Sequence, residues 1–493
     1  MPEDRLKVLY LTPEAVPFAK TGGLADVAGA LPEALHDRGI DVRLMLPCYR
    51  AVLEQQRGLE RVGHPFRIQV GDASLEARVL AGSTPQGVPV YFIEREDLFD
   101  RPNLYGNDQG DYYDNCERFT FFAYASLQAL HNLSFRPDII HCHDWQTGLV
   151  PALLHSPYRT ADFFSRTKTI FTIHNIGYQG LFPPVKLHVT GLPGDWFYHP
   201  EGLEYWGNLS FLKSGIIYAD ALTTVSPTYA GEIQTPEYGR GMEGILSRRR
   251  DALYGILNGV DYRVWNPATD THLPARYDIT ERSGKAVCKA ALIEEAGLDR
   301  ALLRQPLLAM ISRLDNQKGL DLLLAVLDRI LERDTGLLIL GSGDPHIQSG
   351  LEAAVTRFPG RMALRTGFDD PFAHRIMAGA DLFLIPSRYE PCGLTQMYAL
   401  KYGTVPIVRT TGGLRDTIAP FERDTGQGNG FTFSAYAPEA FFDAILQALS
   451  LFSEPGHWAR LQSNGMAADF SWARSAGLYL ELYEGLLGKP NGG

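Results

Sequence analysis

The sequence predicts an α/β protein of two domains, each a parallel sheet with helices packed on both faces. Three observations carry this reading. The chain has 493 residues, too many for one ordinary core, so two domains of about 200 to 250 residues are expected. Short apolar runs alternate with segments of helical period from end to end, the βαβα order of parallel sheets covered by helices. The hexapeptide Thr21-Gly22-Gly23-Leu24-Ala25-Asp26 returns as Thr411-Gly412-Gly413-Leu414-Arg415-Asp416, each copy after an apolar run and before a helical segment.

Taken in order, Lys7–Thr12 is the first strand and Ala25–Arg38 the first helix. Further strands are expected at Asp41–Leu46, Val88–Ile93, Asp138–His141, Thr167–Ile173 and Ala221–Val225, with a long helix at Asp111–Asn132. A second series begins after Leu257-Asn258-Gly259-Val260-Asp261. Its strands are Pro306–Ser312, Gly336–Leu340, Met362–Arg365, Asp381–Pro386 and Thr404–Val408. The helix Gly319–Arg333 carries leucines on nearly every face, which predicts deep burial. Gly, Asn and Pro cluster around Trp265, so the boundary is placed near residues 258–266. The expected division is 1–260, 261–468 and a helical tail over 469–493.

Composition excludes several classes. Apolar residues make up 45% and charged residues 21%, the profile of a soluble globular chain. No apolar run approaches the roughly 20 residues of a spanning helix, so no membrane partner is expected. Met1–Lys7 is charged and leads straight into Val8–Leu11, a first strand in place of a signal peptide. Five cysteines, without a C-x-x-C pair, predict reduced thiols in the cytoplasm. The formal net charge is −11 and no long basic run occurs, which counts against nucleic acid as a partner.

The candidate chemistry sits where strands give way to helices. Glycines at such a turn let backbone N–H groups approach an anion at a helix N-terminus. Lys20, just before the first TGGL, can supply a mobile positive charge to a phosphate, or be an ordinary surface lysine. Arg313 and Lys318, in Ser312-Arg313-Leu314-Asp315-Asn316-Gln317-Lys318-Gly319, follow a strand at its carboxyl side, where open α/β sheets bind ligands. Two cations at a helix N-terminus suit a diphosphate leaving group; a salt bridge from Arg313 to Asp315 is the plainer alternative. Glu390, in Pro386-Ser387-Arg388-Tyr389-Glu390-Pro391-Cys392-Gly393-Leu394-Thr395, is a carboxylate in a turn beside backbone donors. It suits a sugar passing through an oxocarbenium-like transition state. Cys392 has no activating partner and is read as a packing residue.

His141-Cys142-His143-Asp144-Trp145 and Thr172-Ile173-His174-Asn175 both end strands. Either histidine can be a satisfied packing residue, with His174 the better catalytic candidate because a polar loop follows it. The histidine spacing fits no common metal-ligand pattern, so no metal is expected. Walker A, Asp-x-Asp and G-x-S-x-G sequences are all missing, which removes the main support for ATPases, metal-dependent sugar transferases and serine hydrolases.

Taken together, Lys20-Thr21-Gly22-Gly23-Leu24, His143-Asp144-Trp145, His174-Asn175, Asn258-Gly259-Val260-Asp261, Arg313 with Lys318, and Glu390 through Thr395 resemble bacterial glycogen synthases and plant starch synthases, in register from about residue 7 to 485. The resemblance implies a GT-B fold, two Rossmann-like doubly wound domains facing across a cleft, with the tail helix crossing back to the first. It implies glucose transfer from ADP-glucose to the non-reducing 4-hydroxyl of an α-1,4-glucan, with retention and without metal or other cofactor. Lys20, Gly22, Gly23 and Asp26 then belong to the donor site. Arg313 and Lys318 hold the diphosphate, Glu390 and His174 flank the glucose, and Asp144, Asn175, Asn258 and Cys392-Gly393-Leu394-Thr395 line the same site.

Two departures bear on this. Related retaining transferases that act on many other acceptors carry a second glutamate eight residues after the first; here that position is Tyr398, which favours the glycogen-synthase branch. Phe368 stands where some members have a tyrosine that stacks on adenine, keeping the face and losing the hydroxyl. A relative using UDP-glucose or a phosphorylated acceptor is the nearest alternative. A glucan-binding protein without transfer is the alternative of a different class.

Overall fold

A computed structural model describes residues 5–55, 58–107, 109–155 and 162–488. The chain divides into two compact units: Met1–Val225 with Ala230–Ile256 and Trp472–Gly493, and Ser226–Tyr229 with Leu257–Ser471. No single cut describes this division. The short segment at 226–229 belongs to the second unit through local bonds: Ser226 Oγ donates to Pro391 O at 2.7 Å, and Thr228 N and Oγ1 donate to the Asp416 carboxylate at 2.8 and 2.6 Å.

The first unit holds a nine-stranded sheet. Its spatial order is Leu253–Gly255, Ala221–Thr224, Lys168–Ile173, Ile139–His143, Lys7–Leu11, Asp41–Pro47, Pro89–Glu94, Ala73–Ser83, Glu60–Val70. The first seven strands in this order are parallel. Order reverses between Lys7–Leu11 and Ile139–His143, and at such a switch point the loops leaving the carboxyl ends diverge and open a crevice. The last two strands form an antiparallel hairpin that the sequence analysis did not anticipate. Its polar, mostly exposed first strand lacks the apolar run of a buried one. The Val70-Gly71-Asp72-Ala73 turn, with Gly71 at φ +55°, is the signal that marks it.

The second unit holds a six-stranded, all-parallel sheet in the order Met362–Thr366, Gly336–Gly341, Leu307–Ile311, Leu382–Ile385, Val405–Arg409, Phe431–Phe433. Numbered within the unit this is 3-2-1-4-5-6, the doubly wound order of dinucleotide-binding folds. Leu382–Ile385 is buried along its whole length, as a strand covered on both faces must be. The helix Leu320–Leu331 buries Leu320, Leu322, Leu323, Val326, Leu327, Ile330 and Leu331 against this sheet and the helix Pro438–Phe452. Each such side chain contributes about 1.5 to 3 kcal/mol relative to exposure.

Most expected strands and helices occur within a residue or two of their anticipated bounds. The long helix of the first unit starts at Asn115 instead of Asp111, because Gly110–Asp111 pairs with Gly106–Asn107 and Asp114 takes the N-cap position. The tail is one helix, Trp472–Leu486, packed on Gly23–His36 of the first unit.

Candidate active site

In the first unit, the loops after the two switch-point strands carry the candidate residues. The turn at Lys20–Gly23 is organised by Glu14, which lies just past the first strand and is buried. Its carboxylate accepts from Thr21 N and Thr21 Oγ1 at 2.6 Å each, from Gly22 N at 3.2 Å and from Tyr105 OH at 2.8 Å. Two backbone N–H groups that the sequence offered to a ligand anion are therefore taken by an internal carboxylate. Glu14 escaped the sequence reading, although its place after a strand's carboxyl end is the signal that finds it. A methyl at Gly22 would meet no atom within 4 Å, so this face of the loop is open to a ligand. Lys20 Nζ donates to Asp26 Oδ1 at 2.7 Å with both side chains partly exposed, a pair screened enough to open at little cost.

The adjacent strand delivers His141, His143 and Asp144. His141 is fully buried, with Nδ1 at 2.8 Å from Tyr483 OH and Nε2 at 2.6 Å from Thr172 Oγ1. Burial pulls its pKa down to about 3. It is the satisfied packing residue, tying the sheet to the tail helix. His143 stacks on Tyr10 with ring centroids 4.1 Å apart, and its Nδ1 lies 3.0 Å from His174 Nε2. Burial also holds His174 near 3, so at neutral pH it is an uncharged imidazole that hydrogen-bonds without adding charge.

Asp144 adopts φ +55°, a strained conformation for a non-glycine residue. Its Oδ1 accepts from His174 N at 2.8 Å. Burial, joined by the charge of Glu14, raises its pKa to about 7 against the stabilising N–H groups of His174 and Asn175. A residue so perturbed at a switch point is a functional candidate in its own right. The Asn175 loop is held from both ends. Asn175 Oδ1 accepts from Gly177 N at 2.9 Å, and at Gly180 (φ +57°) a Cβ would stand 2.5 Å from the Trp145 ring.

In the second unit the same topology brings Lys318 to Glu390. Lys318 follows the first strand of the Rossmann order and Glu390 the fourth, and these strands are neighbours across the switch point. Lys318 Nζ donates to both carboxylate oxygens of Glu390, at 3.0 and 2.7 Å, and Ser387 Oγ donates to Oε2 at 2.9 Å. Asp315 caps the turn by accepting from Lys318 N at 3.0 Å. Gly319 (φ +76°) is required, since a Cβ there would lie 2.1 Å from Pro386 O. Arg313 is 56% exposed on its side chain, 3.4 Å from Asp315 and 3.1 Å from Gln317 Oε1. The salt bridge to Asp315 is thus present, on a side chain exposed enough to turn toward a ligand.

The second TGGL packs where the first stands open. A Cβ on Gly412 would lie 2.0 Å from Glu390 O, and one on Gly413 2.0 Å from Cys392 O. Gly413 N donates to Glu390 O at 3.1 Å. The loop therefore braces the Glu390 turn. Cys392 is buried and its thiol is pushed up to about 12 by burial, which favours the packing role over that of a thiolate nucleophile. Gly393 adopts φ +69° over Gln396, and Leu394 caps the short helix that begins at Thr395. Asn258 is buried, and its Oδ1 has no hydrogen-bond partner among the described residues. Phe368 is 81% exposed, between Gly367 and the helix cap Asp369. Tyr398, eight residues after Glu390, stacks on Trp265 with centroids 4.1 Å apart.

Comparison with known proteins gives this geometry a family. Residues 7–248 match the starch synthase catalytic domain, and residues 305–450 match glycosyl transferases group 1. The glycogen synthase of Syntrophotalea carbinolica is 48% identical over 97% of this chain and 98% of its own length. The chain belongs to the glycogen and starch synthase family. That of Moorella thermoacetica is 47% identical over 98% of this chain and 97% of its own length. Among solved structures, the catalytic domain of starch synthase IV from Arabidopsis thaliana, bound to ADP and acarbose, superposes with a TM-score of 0.91. It is 35% identical and covers 98% of this chain and 100% of that one. Family membership makes this chain a glycosyltransferase, and its two Rossmann-like units are those of the GT-B fold. Among the described residues no helix is long and apolar enough to cross a membrane.

Proposed function

We propose that this family member works in the cytoplasm, passing glucose from ADP-glucose to the non-reducing 4-hydroxyl of an α-1,4-glucan with retention of configuration. The observation that carries the reading is the half-buried Lys318–Glu390 pair at the switch point of a 3-2-1-4-5-6 sheet. The ADP and acarbose of the Arabidopsis relative support the donor and acceptor classes. In this reading Lys20, Arg313 and Lys318 hold the donor diphosphate, with Gly22, Gly23 and Asp26 shaping its approach. Phe368 offers a ring face to adenine. Glu390, Asn258 and the Cys392–Thr395 turn of the second unit, and His174, Asp144 and Asn175 of the first, are the residues assigned to the glucose.

The chemistry follows from the charges. Breaking the bond between glucose C1 and the phosphate oxygen places negative charge on the departing ADP and positive charge on the sugar. Lys318 has three donors, so it can keep Glu390 in place and still donate to the leaving phosphate. Glu390, fixed by Lys318 and Ser387, sets a negative charge beside the developing oxocarbenium. With Cys392 buried and, among the described residues, no carboxylate besides Glu390 presenting itself as nucleophile, front-face attack through an ion pair fits better than a covalent glucosyl-enzyme. A neutral His174 hydrogen-bonds sugar hydroxyls without opposing that cation.

Release of nucleotide from ADP-glucose and from UDP-glucose, each with and without glycogen, tests the proposal. ADP release that depends on glycogen is expected. Folded protein that releases no nucleotide in the presence of glycogen would overturn it, and a faster reaction with UDP-glucose would overturn the donor assignment.

A further inference from the structure

We propose that the second unit carries a zinc-type divalent metal site built from His272, Asp370 and His374. One ligand atom from each of these residues lies within 4.8 Å of those of the other two. His374 is 99% buried, and its Nε2 forms no hydrogen bond among the described residues while standing 3.9 Å from Asp370 Oδ2. A buried imidazole nitrogen left without a donor or acceptor is costly unless something occupies its lone pair.

The surroundings of His374 fix it in the state a metal requires. Asp270 Oδ2 accepts from His374 Nδ1 at 2.7 Å and from Tyr402 OH at 2.6 Å, while Oδ1 accepts from His272 N at 2.9 Å. A carboxylate on Nδ1 holds the proton there and leaves Nε2 as a lone pair, the orienting arrangement of histidine ligands. The ring is further clamped by Trp265, stacked at 3.8 Å with an interplanar angle of 9°. Asp370 and His374 are one turn apart on the helix Asp370–Gly379, so they share a face. His272 comes from the segment just beyond Asp270.

Two imidazoles and one carboxylate select a borderline ion such as Zn2+ over Mg2+, which prefers oxygen ligands alone. Ligand atoms about 2.0 to 2.2 Å from a tetrahedral ion stand about 3.3 Å from one another. Closure therefore asks His272 and Asp370, both exposed, to swing inward by about an ångström while His374 stays fixed. A solvent molecule completes the fourth position. The ion would clip the segment at residue 272 to the start of the helix, two residues from Phe368. Sequence spacing could not reveal the site, because the two histidines are far apart in the chain and the carboxylate that orients one of them precedes the other.

The test is metal binding by the full chain after chelator stripping, with Zn2+ titrated calorimetrically and Co2+ followed by visible absorption. One Zn2+ per chain and the absorption bands of four-coordinate Co2+ are expected. His272→Ala and Asp370→Asn, which alter exposed side chains, should each weaken Zn2+ at least ten-fold while leaving the urea midpoint of the metal-free protein unchanged. His374→Gln should abolish the Co2+ bands. Equal Zn2+ uptake by the wild-type chain and by the His272→Ala, Asp370→Asn double variant would overturn the proposal, as would displacement of Zn2+ by equimolar Mg2+.

Discussion

The contact between Lys318 and Glu390 is expected to bear on both stability and turnover. Glu390 is buried and Lys318 half-buried, so removing Lys318 leaves a buried carboxylate uncompensated, at a cost below that of a fully buried pair, about 3 to 5 kcal/mol. Ser387 offsets part of that cost for Glu390. Lys318→Ala is therefore expected to lower the urea midpoint as well as turnover, whereas Glu390→Gln keeps the hydrogen-bonding shape and chiefly lowers kcat, by about 10² to 10³-fold. Denaturation curves measured beside nucleotide release separate the two effects. Asp144 gives a prediction about pH. Its folded pKa of about 7 lies above the ordinary 3.8, so between those values the folded chain keeps a proton that the unfolded chain has released. Stability is present below that window and declines as pH rises through it, by about 1.4 kcal/mol for each tenfold difference in proton affinity. Asp144→Asn removes the titration and still accepts from His174 N, so the difference between variant and wild type should grow in the variant's favour from pH 5 to pH 8. His141 and His174 act in the opposite sense, because their depressed values cost stability as pH falls below about 6.5. At this scale residue types and their place at strand ends were legible in the sequence. Glu14 and the Asn258 orphan were not, since each is defined by a partner or its absence in space.

At the scale of elements, the two TGGL turns share a sequence and differ in what packs on them. Gly22 is extended at φ −151° with open space where a Cβ would stand. Gly412 is at φ +45° with a backbone oxygen 2.0 Å from that position. Gly22→Ala is accordingly expected to change stability by no more than about 0.5 to 1 kcal/mol, so any large loss of nucleotide release reports a ligand blocked by the added methyl. Gly412→Ala should cost at least about 2 kcal/mol through strain and the displaced Glu390 turn, with turnover falling alongside it. Urea midpoints paired with nucleotide release distinguish the two glycines. The sequence located both turns, because a Gly-Gly step between an apolar run and a helical segment is a local signal. The difference between them lies in residues 390–392, which no local pattern places against residues 412–413.

For the whole molecule, the tail helix is the clearest case of a long-range tie. Trp472–Leu486 returns to the first unit, where Tyr483 is fully buried with its hydroxyl on His141 Nδ1 and Arg38 Nη2 donates to Ala473 O at 2.6 Å. Tyr483→Phe leaves a buried imidazole nitrogen without its partner, at a cost of about 1 to 3 kcal/mol. Truncation after Ser471 also uncovers the apolar face of the helix Gly23–His36, so it should lower Tm far more than the point variant. Thermal scans of the two proteins check the order.

Periodicity and the order of elements determined, from the sequence alone, that this chain builds two doubly wound sheets, because burial on both faces forces short apolar strands to alternate with amphipathic helices. The motifs at strand ends likewise determined the family and the candidate residues, since loops at carboxyl ends are where such sheets hold ligands. Tertiary structure alone decided which of those residues meet. Lys318 and Glu390 pair because strands one and four of the second unit are neighbours. His141 became packing because a helix some 340 residues later covers it. The His272, Asp370 and His374 cluster exists only where loop and helix converge. Local sequence encodes conformation through the backbone, whereas contact, burial and charge pairing depend on which distant segments the fold brings together.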